Sequence, residues 1–311
     1  MTETDAQKIA RLCDTWRTAA MTSNRIVVGA EHERLRLLAN GIQFHLLDFD
    51  ALRTASVGLC GVHLLPRRNV VESVDHYMFW AWCGEVLLSS LSPYAGALDP
   101  EVGQLMRLAV RTALVPAPAE TPEGARREAE MLSNLAPNPR FLISETGHLL
   151  GYLAFPLLEA IVKLACKQHL TLAGGVIKDF DGKSRSYKSG KICSNVVDMI
   201  YLLVNEVADQ DLKDDIIKII GFMAECEAEP DGLSVLHTWR NSSVHGEVAL
   251  PTIGGAVATL ALRIALQDIA SDYDEIRANI ARSFEHNVQR KQRSGHWMIL
   301  PSTYYPAFAR N

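Results

Sequence analysis

Residues 233–246 read Leu233-Ser-Val-Leu-His-Thr-Trp-Arg-Asn-Ser-Ser-Val-His-Gly246. Leu233, Leu236 and Trp239 recur at helical spacing, so the left half reads as the closing turns of an amphipathic helix. Arg240-Asn241-Ser242-Ser243 is a poor helix interior, because Asn and Ser side chains compete for backbone hydrogen bonds. Gly246 and Pro251 mark a break before a new apolar helix. The pattern therefore predicts Arg240 at a helix end and His245 in the turn after it. A permanent cation and a group that titrates near neutral pH would then stand within reach of each other, a pair suited to phosphate chemistry.

Outward from this stretch the chain reads as helices. Residues 5–22 put Ile9, Leu12, Cys13, Trp16 and Ala20 on one face. Glu31–Asn40 reads as a charged helix stopped by Asn40-Gly41, and Phe44–Ala55 as another. Val57–Leu65 is ambiguous, since its glycines allow a short strand or a loop. Val70–Leu91, rich in aromatics, reads as the core helix of the first half, followed by Pro100–Leu114 and Glu123–Leu135. Proline-rich breaks at Val115–Pro122 and Ala136–Arg140 place a domain boundary near residue 140. Helices are then expected through Pro156–His169 (extending upstream to Gly147), 194–206, 211–227, Pro251–Ala270 and Asp272–Arg293, the last acidic at its start and basic at its end. The predicted fold class is all-α: an N-terminal helical domain, 1–140, with no role assigned by its sequence, and a C-terminal helical domain, 141–311. The tail from Ser294, with Trp297, Tyr304 and Tyr305, has no periodicity and is expected to pack against another element.

Composition narrows the function. With 311 residues, 48% hydrophobic and 22% charged, this is an ordinary globular chain. A formal net charge of −5 argues against nucleic-acid binding by bulk electrostatics, so any contact with RNA must come from a local site. Six scattered cysteines without a C-x-x-C pair read as reduced core residues of a cytoplasmic protein, neither a disulfide frame nor a zinc site. The acidic N-terminus is unlike a signal peptide. No membrane span stands out: the longest apolar run, Leu149–Cys166, contains Pro156, Glu159 and Lys163 and fits a buried core helix.

An Arg, four to six residues and then a His occurs three times, at Arg25/His32, Arg240/His245 and Arg290/His296, against about two chance matches for 21 Arg and 10 His. Only Arg240 also has Asn directly after it. Arg68-Asn69 lacks a His at the required spacing. The sharper form, Arg240-Asn241-x-x-x-His245 in a helical setting, resembles the HEPN superfamily of small helical ribonuclease domains, over roughly residues 144–275. The resemblance implies a metal-independent endoribonuclease that leaves a 2′,3′-cyclic phosphate and a 5′-hydroxyl. It also implies a homodimer whose two motifs share one cleft, and by analogy a toxin or antiviral effector held silent by an inhibitor or antitoxin protein. One variant of the family continues as His-x-Tyr, but this chain has Glu247 at that position, so modification of such a tyrosine does not carry over.

The residues themselves fit that chemistry. RNA brings its own nucleophile, the 2′-hydroxyl. Cleavage then needs a group to move a proton and a cation for the charge gathering on the phosphate, roles that suit His245 and Arg240, with Asn241 to position a phosphate oxygen or hold Arg240. The plainer reading has Arg240 capping a helix C-terminus and His245 bonded to backbone in a turn. Glu159, the only carboxylate between Glu145 and Asp179, is the candidate for the polar or acidic residue from an earlier helix that the resemblance implies beside the Arg–His pair, orienting Arg240 or His245; its alternative is an i,i+4 pair with Lys163 on a solvent-facing stripe.

Lys183, Arg185, Lys188 and Lys191 surround Tyr187 in a Gly/Ser-rich stretch expected to be a hairpin or mobile insert. It could track an RNA backbone and stack a base, or be a solvated surface loop. The basic end of the last helix (Arg282, Arg290, Lys291, Arg293) poses the same choice. Glu31-His32-Glu33 is not a ligand set, because adjacent helix residues point apart. No cofactor fingerprint or nucleophile elbow is present. The rival to catalysis is a non-catalytic helical module that binds RNA, a nucleotide or a partner protein.

Overall fold

The computed structural model describes residues 3–22, 34–65, 69–70, 72–95, 100–115, 122–136, 143, 145–245, 251–294 and 304. Eleven α-helices carry this part of the chain: α1 (Asp5–Thr22), α2 (Phe49–His63), α3 (Val74–Leu87), α4 (Pro100–Leu114), α5 (Pro122–Asn134) and α6 (Thr146–Ala165), then α7 (Val196–Leu202), α8 (Gln210–Glu227), α9 (Gly232–His245), α10 (Pro251–Gln267) and α11 (Tyr273–Ser294). Two antiparallel pairs of two-residue strands complete it, β1 (Leu64–Leu65) with β2 (Asn69–Val70) and β3 (Phe180–Asp181) with β4 (Ser186–Tyr187). The fold is all-α.

Helix starts follow their caps. Asp48 accepts from the Ala51 N–H to open α2, Asn195 from Val197 to open α7, and Asp209 from Leu212 to open α8. At α3, Ser73 and His76 form a reciprocal capping box. Burial decides where the expected helices differ from the observed ones. The helix expected over Glu31–Asn40 is, in its described part, only a 3₁₀ turn at Leu38–Asn40, closed by Gly41 at φ 80°; residues 31–33 lie outside the described residues. Phe44–Leu46 is a separate 3₁₀ turn, and the helix proper starts after Asp48 and absorbs the ambiguous stretch as far as His63. The glycines there serve packing. A Cβ on Gly58 would lie 2.8 Å from Cys13 Sγ, and one on Gly61 2.7 Å from the Phe222 ring.

The most extensive helix pair is α6 with α10. They meet backbone to backbone, since a Cβ on Gly254 would stand 2.7 Å from the Gly151 nitrogen. The α6 helix is, among the described residues, the one long and apolar enough to cross a membrane by length and composition. Here Leu150, Ala154, Phe155, Leu158 and Ile161 are buried against its neighbours.

Among the described residues, elements from before and after residue 140 contribute to one hydrophobic cluster. α4 packs on α6, and α10 on α2. Trp80 Nε1 donates to Thr259 Oγ1 at 2.9 Å, and Trp82 Nε1 to the Tyr273 hydroxyl at 3.0 Å. The guanidinium of Arg263 (α10), with no solvent exposure, meets Asp215 (α8) at 2.8 Å, and Arg53 (α2) reaches the same carboxylate at 3.4 Å. The two halves thus share one core. All six cysteines are free and buried, and burial pushes the thiols of Cys60 and Cys166 up to about 12. From the aperiodic tail, Tyr304 is buried with its hydroxyl 3.1 Å from His45 Nδ1.

Candidate functional site

The α9 helix is held by one face. Val235, Leu236, Trp239 and Ser243 are buried, and Trp239 Nε1 donates to Glu227 of α8 at 3.1 Å. The opposite face carries exposed His237 and Thr238, with Arg240, Asn241 and Ser242 half-buried.

The helix does not break at Arg240. It continues through Asn241-Ser242-Ser243 to His245, which corrects the expectation of a turn there. Helical Asn and Ser cost about 0.5 kcal/mol each relative to Ala, a modest sum that packing offsets. Ser243 continues the buried stripe one turn beyond Trp239. Asn241 meets the side chain one turn back, its Nδ2 2.9 Å from His237 Nε2. The motif residues therefore follow helical register: Asn241 and His245 sit one turn apart, while Arg240 and His245, five residues apart, do not share a face. Of His245 only the backbone is described.

Glu159 and Arg240 do come together. From α6, Glu159 Oε1 lies 3.4 Å from Arg240 Nε and 3.3 Å from its Nη2. The other carboxylate oxygen is 3.9 Å from Lys163 Nζ, one turn on in α6. Glu159 thus contacts both the motif arginine and its own i,i+4 lysine. One carboxylate against two cations leaves the group one formal positive charge. Arg240 keeps 34% of its side chain exposed, against 19% for Glu159. A cation fixed by a carboxylate from another helix, yet open to solvent, is equipped to receive an anionic oxygen.

The basic stretch is an ordered hairpin, and most of its charge is already answered. Lys183 pairs with Asp231, which also accepts from Leu233 N–H at the start of α9. Lys188 pairs with Asp179 at 3.1 Å. Arg185 lies over the Tyr187 ring at 4.7 Å, and Lys191 is exposed. Tyr187 is buried, stacked on Phe180 at 4.9 Å, so its ring is not available to stack a base. Its hydroxyl donates to Asp198 at 2.8 Å, a carboxylate that also accepts from Ser184 N–H and Ser184 Oγ. Burial alone would raise the pKa of Asp198, but these donors outweigh it and hold the group below its usual range. The hairpin reaches α9 at Asp231, nine residues before Arg240 and so about 13 Å along the axis. The sequence-predicted residues therefore fall into two groups, Arg240 with Asn241 and Glu159, and the hairpin cations at the other end of the helix.

One residue of the site was not singled out in the sequence: His237, three before Arg240 and four before Asn241. Its signal was that spacing, which becomes visible only when the helix is taken as unbroken. Among the described residues no three His, Cys, Asp or Glu side chains are grouped to hold a metal ion.

Comparison with protein-family models, with curated proteins and with solved structures finds no significant match to this chain.

Proposed function

We propose that this chain is a metal-independent endoribonuclease that cuts RNA by attack of the 2′-hydroxyl, with Arg240 as the phosphate-binding cation. The observation that carries the reading is the Arg240–Glu159 contact across α9 and α6, which fixes a guanidinium at the surface beside Lys163. In this reading Glu159 orients Arg240, Asn241 positions the site's polar groups, and His245 moves a proton, as the resemblance implies. Arg185 and Lys191 extend the contact to RNA. Lys183 and Lys188 contribute less, because their charge is spent on Asp231 and Asp179. The working form is a homodimer that brings two motifs to one cleft, acting in the cytoplasm as a toxin or antiviral effector under an inhibitor protein.

The second reading is a non-catalytic module that binds RNA or a nucleotide, favoured by the counter-charge Arg240 already has in Glu159. Labelled single-stranded RNA incubated with the full chain in EDTA separates them. Cleavage to 2′,3′-cyclic phosphate ends, lost in Arg240→Ala and His245→Ala, supports the enzyme. Binding without cleavage supports the module, and a nuclease that dies in EDTA contradicts the metal-independent mechanism.

A further inference from the structure

The unbroken helix puts a second imidazole into the motif. His237 is exposed, Asn241 holds its Nε2 at 2.9 Å, and Arg240 is its i+3 neighbour on the same face. With one ring nitrogen tied to an amide, the ring is oriented and the other nitrogen, Nδ1, is left for a proton in transfer. A general base oriented by a third group is a recurring catalytic arrangement, and an Asn amide can be that group. Nδ1 is the basic nitrogen when Nε2–H donates to the amide oxygen, which a half-turn of the Asn241 amide brings to the ring in place of its nitrogen.

We propose that His237 is the base of the site, a second proton-transfer group beside His245. The inference rests on the ribonuclease reading and deepens it. In the step, Nδ1 of His237 takes the 2′-hydroxyl proton and the 2′-oxygen forms its bond to phosphorus. The bond from phosphorus to the 5′-oxygen breaks with its electron pair on oxygen, and that oxygen leaves with a proton from the second, protonated imidazole, His245. The products are the 2′,3′-cyclic phosphate and the 5′-hydroxyl, and solvent resets the two imidazoles. The described charges around this face are Arg240 on α9 and, reached through it, Glu159 and Lys163 on α6.

The test compares wild type with His237→Gln, His237→Ala and Arg240→Ala on a labelled single-stranded RNA in EDTA from pH 5 to 9. Gln can keep the hydrogen bond to Asn241 but cannot carry a proton, so a merely structural role would be rescued by it. The expected result is a loss of roughly 100- to 1,000-fold in kcat for both Gln and Ala. The acidic limb of the bell-shaped pH profile should vanish, with an unchanged melting temperature because the side chain is exposed. Cleavage by His237→Gln at the wild-type rate and with the wild-type profile, while Arg240→Ala is dead, overturns the role of His237 and leaves the ribonuclease standing. No cleavage by wild type overturns both.

Discussion

The carboxylate of Glu159 and the guanidinium of Arg240 meet at 3.3 Å across the seam between α6 and α9, eighty-one residues apart in sequence. Neither is fully buried, so the pair contributes little to stability. A double-mutant cycle with Glu159→Ala and Arg240→Ala should give a coupling of about 0.5–1 kcal/mol, less at high salt. Its larger effect should be on cleavage. Arg240→Lys keeps the charge but loses the planar fork, so it should lose at least about tenfold in kcat/KM, with Arg240→Ala lower still. Glu159→Gln should fall between wild type and Arg240→Ala, because it keeps an oxygen near Arg240 while removing the charge that orients it. Equal rates for Glu159→Gln and Arg240→Ala would make the carboxylate a participant and not an orienter.

Asp215 faces the fully buried Arg263, and burial lowers the pKa of that guanidinium against the pull of the carboxylate. Asp215→Ala leaves Arg263 uncompensated and also strips Arg53 of one partner. The expected loss is about 3–5 kcal/mol of unfolding free energy, read from urea midpoints. Replacing both members, Asp215→Leu with Arg263→Met, should cost far less, because no unpaired charge then remains in the core. A double variant as unstable as Asp215→Ala would show that the pair is needed for more than mutual neutralisation.

The all-α class was legible because apolar periodicity survives in α1, α4, α6 and α11, and α4 matched its expected bounds at both ends. The break after Arg240 was misread because Asn and Ser are weak helix formers, whereas Ser243 lies in the buried stripe that continues from Trp239. Local propensity lost there to tertiary burial. The same force extended α2 through Gly58 and Gly61, whose missing side chains make room for Cys13 and Phe222. Glu159 was legible as a lone carboxylate in an apolar run. His237 was hidden by the assumption of a broken helix. Tyr187 was read as a surface aromatic since nothing local reveals that Asp198, eleven residues on, draws its hydroxyl inward.

Helical glycines in this fold divide into those that keep space closed and those that do not. Gly254→Ala drives a methyl against the Gly151 backbone at 2.7 Å, which only separation of α6 and α10 can relieve. The expected cost is about 1–3 kcal/mol, with a matching fall in melting temperature. Gly221, inside α8, has nothing within 4 Å of its Cβ position. Gly221→Ala should therefore stabilise by about 0.5–1 kcal/mol, through a less flexible unfolded chain and better helix propensity. Thermal melts of the two variants should move in opposite directions.

The last prediction concerns pH. Burial, reinforced by His63 close by, brings His76 down from 6.5 to about 4, although Leu59 O and the Ser73 cap hold its two nitrogens. The folded protein therefore keeps this ring neutral where the unfolded chain protonates it. Between pH 6.5 and about 4 the unfolded state binds more protons, so stability rises with pH across that window. The contribution is complete above pH 6.5, is lost as pH falls toward 4, and levels off below. A shift of this size corresponds to about 3 kcal/mol at most. Asp198, held low by Ser184 and Tyr187 against its own burial, adds a loss of the same sign at more acidic pH. Urea unfolding at pH 7, 5.5 and 4.5 should show the midpoint dropping, and His76→Gln, though less stable at pH 7, should show a shallower drop. An unchanged slope in that variant would assign the proton uptake to other groups.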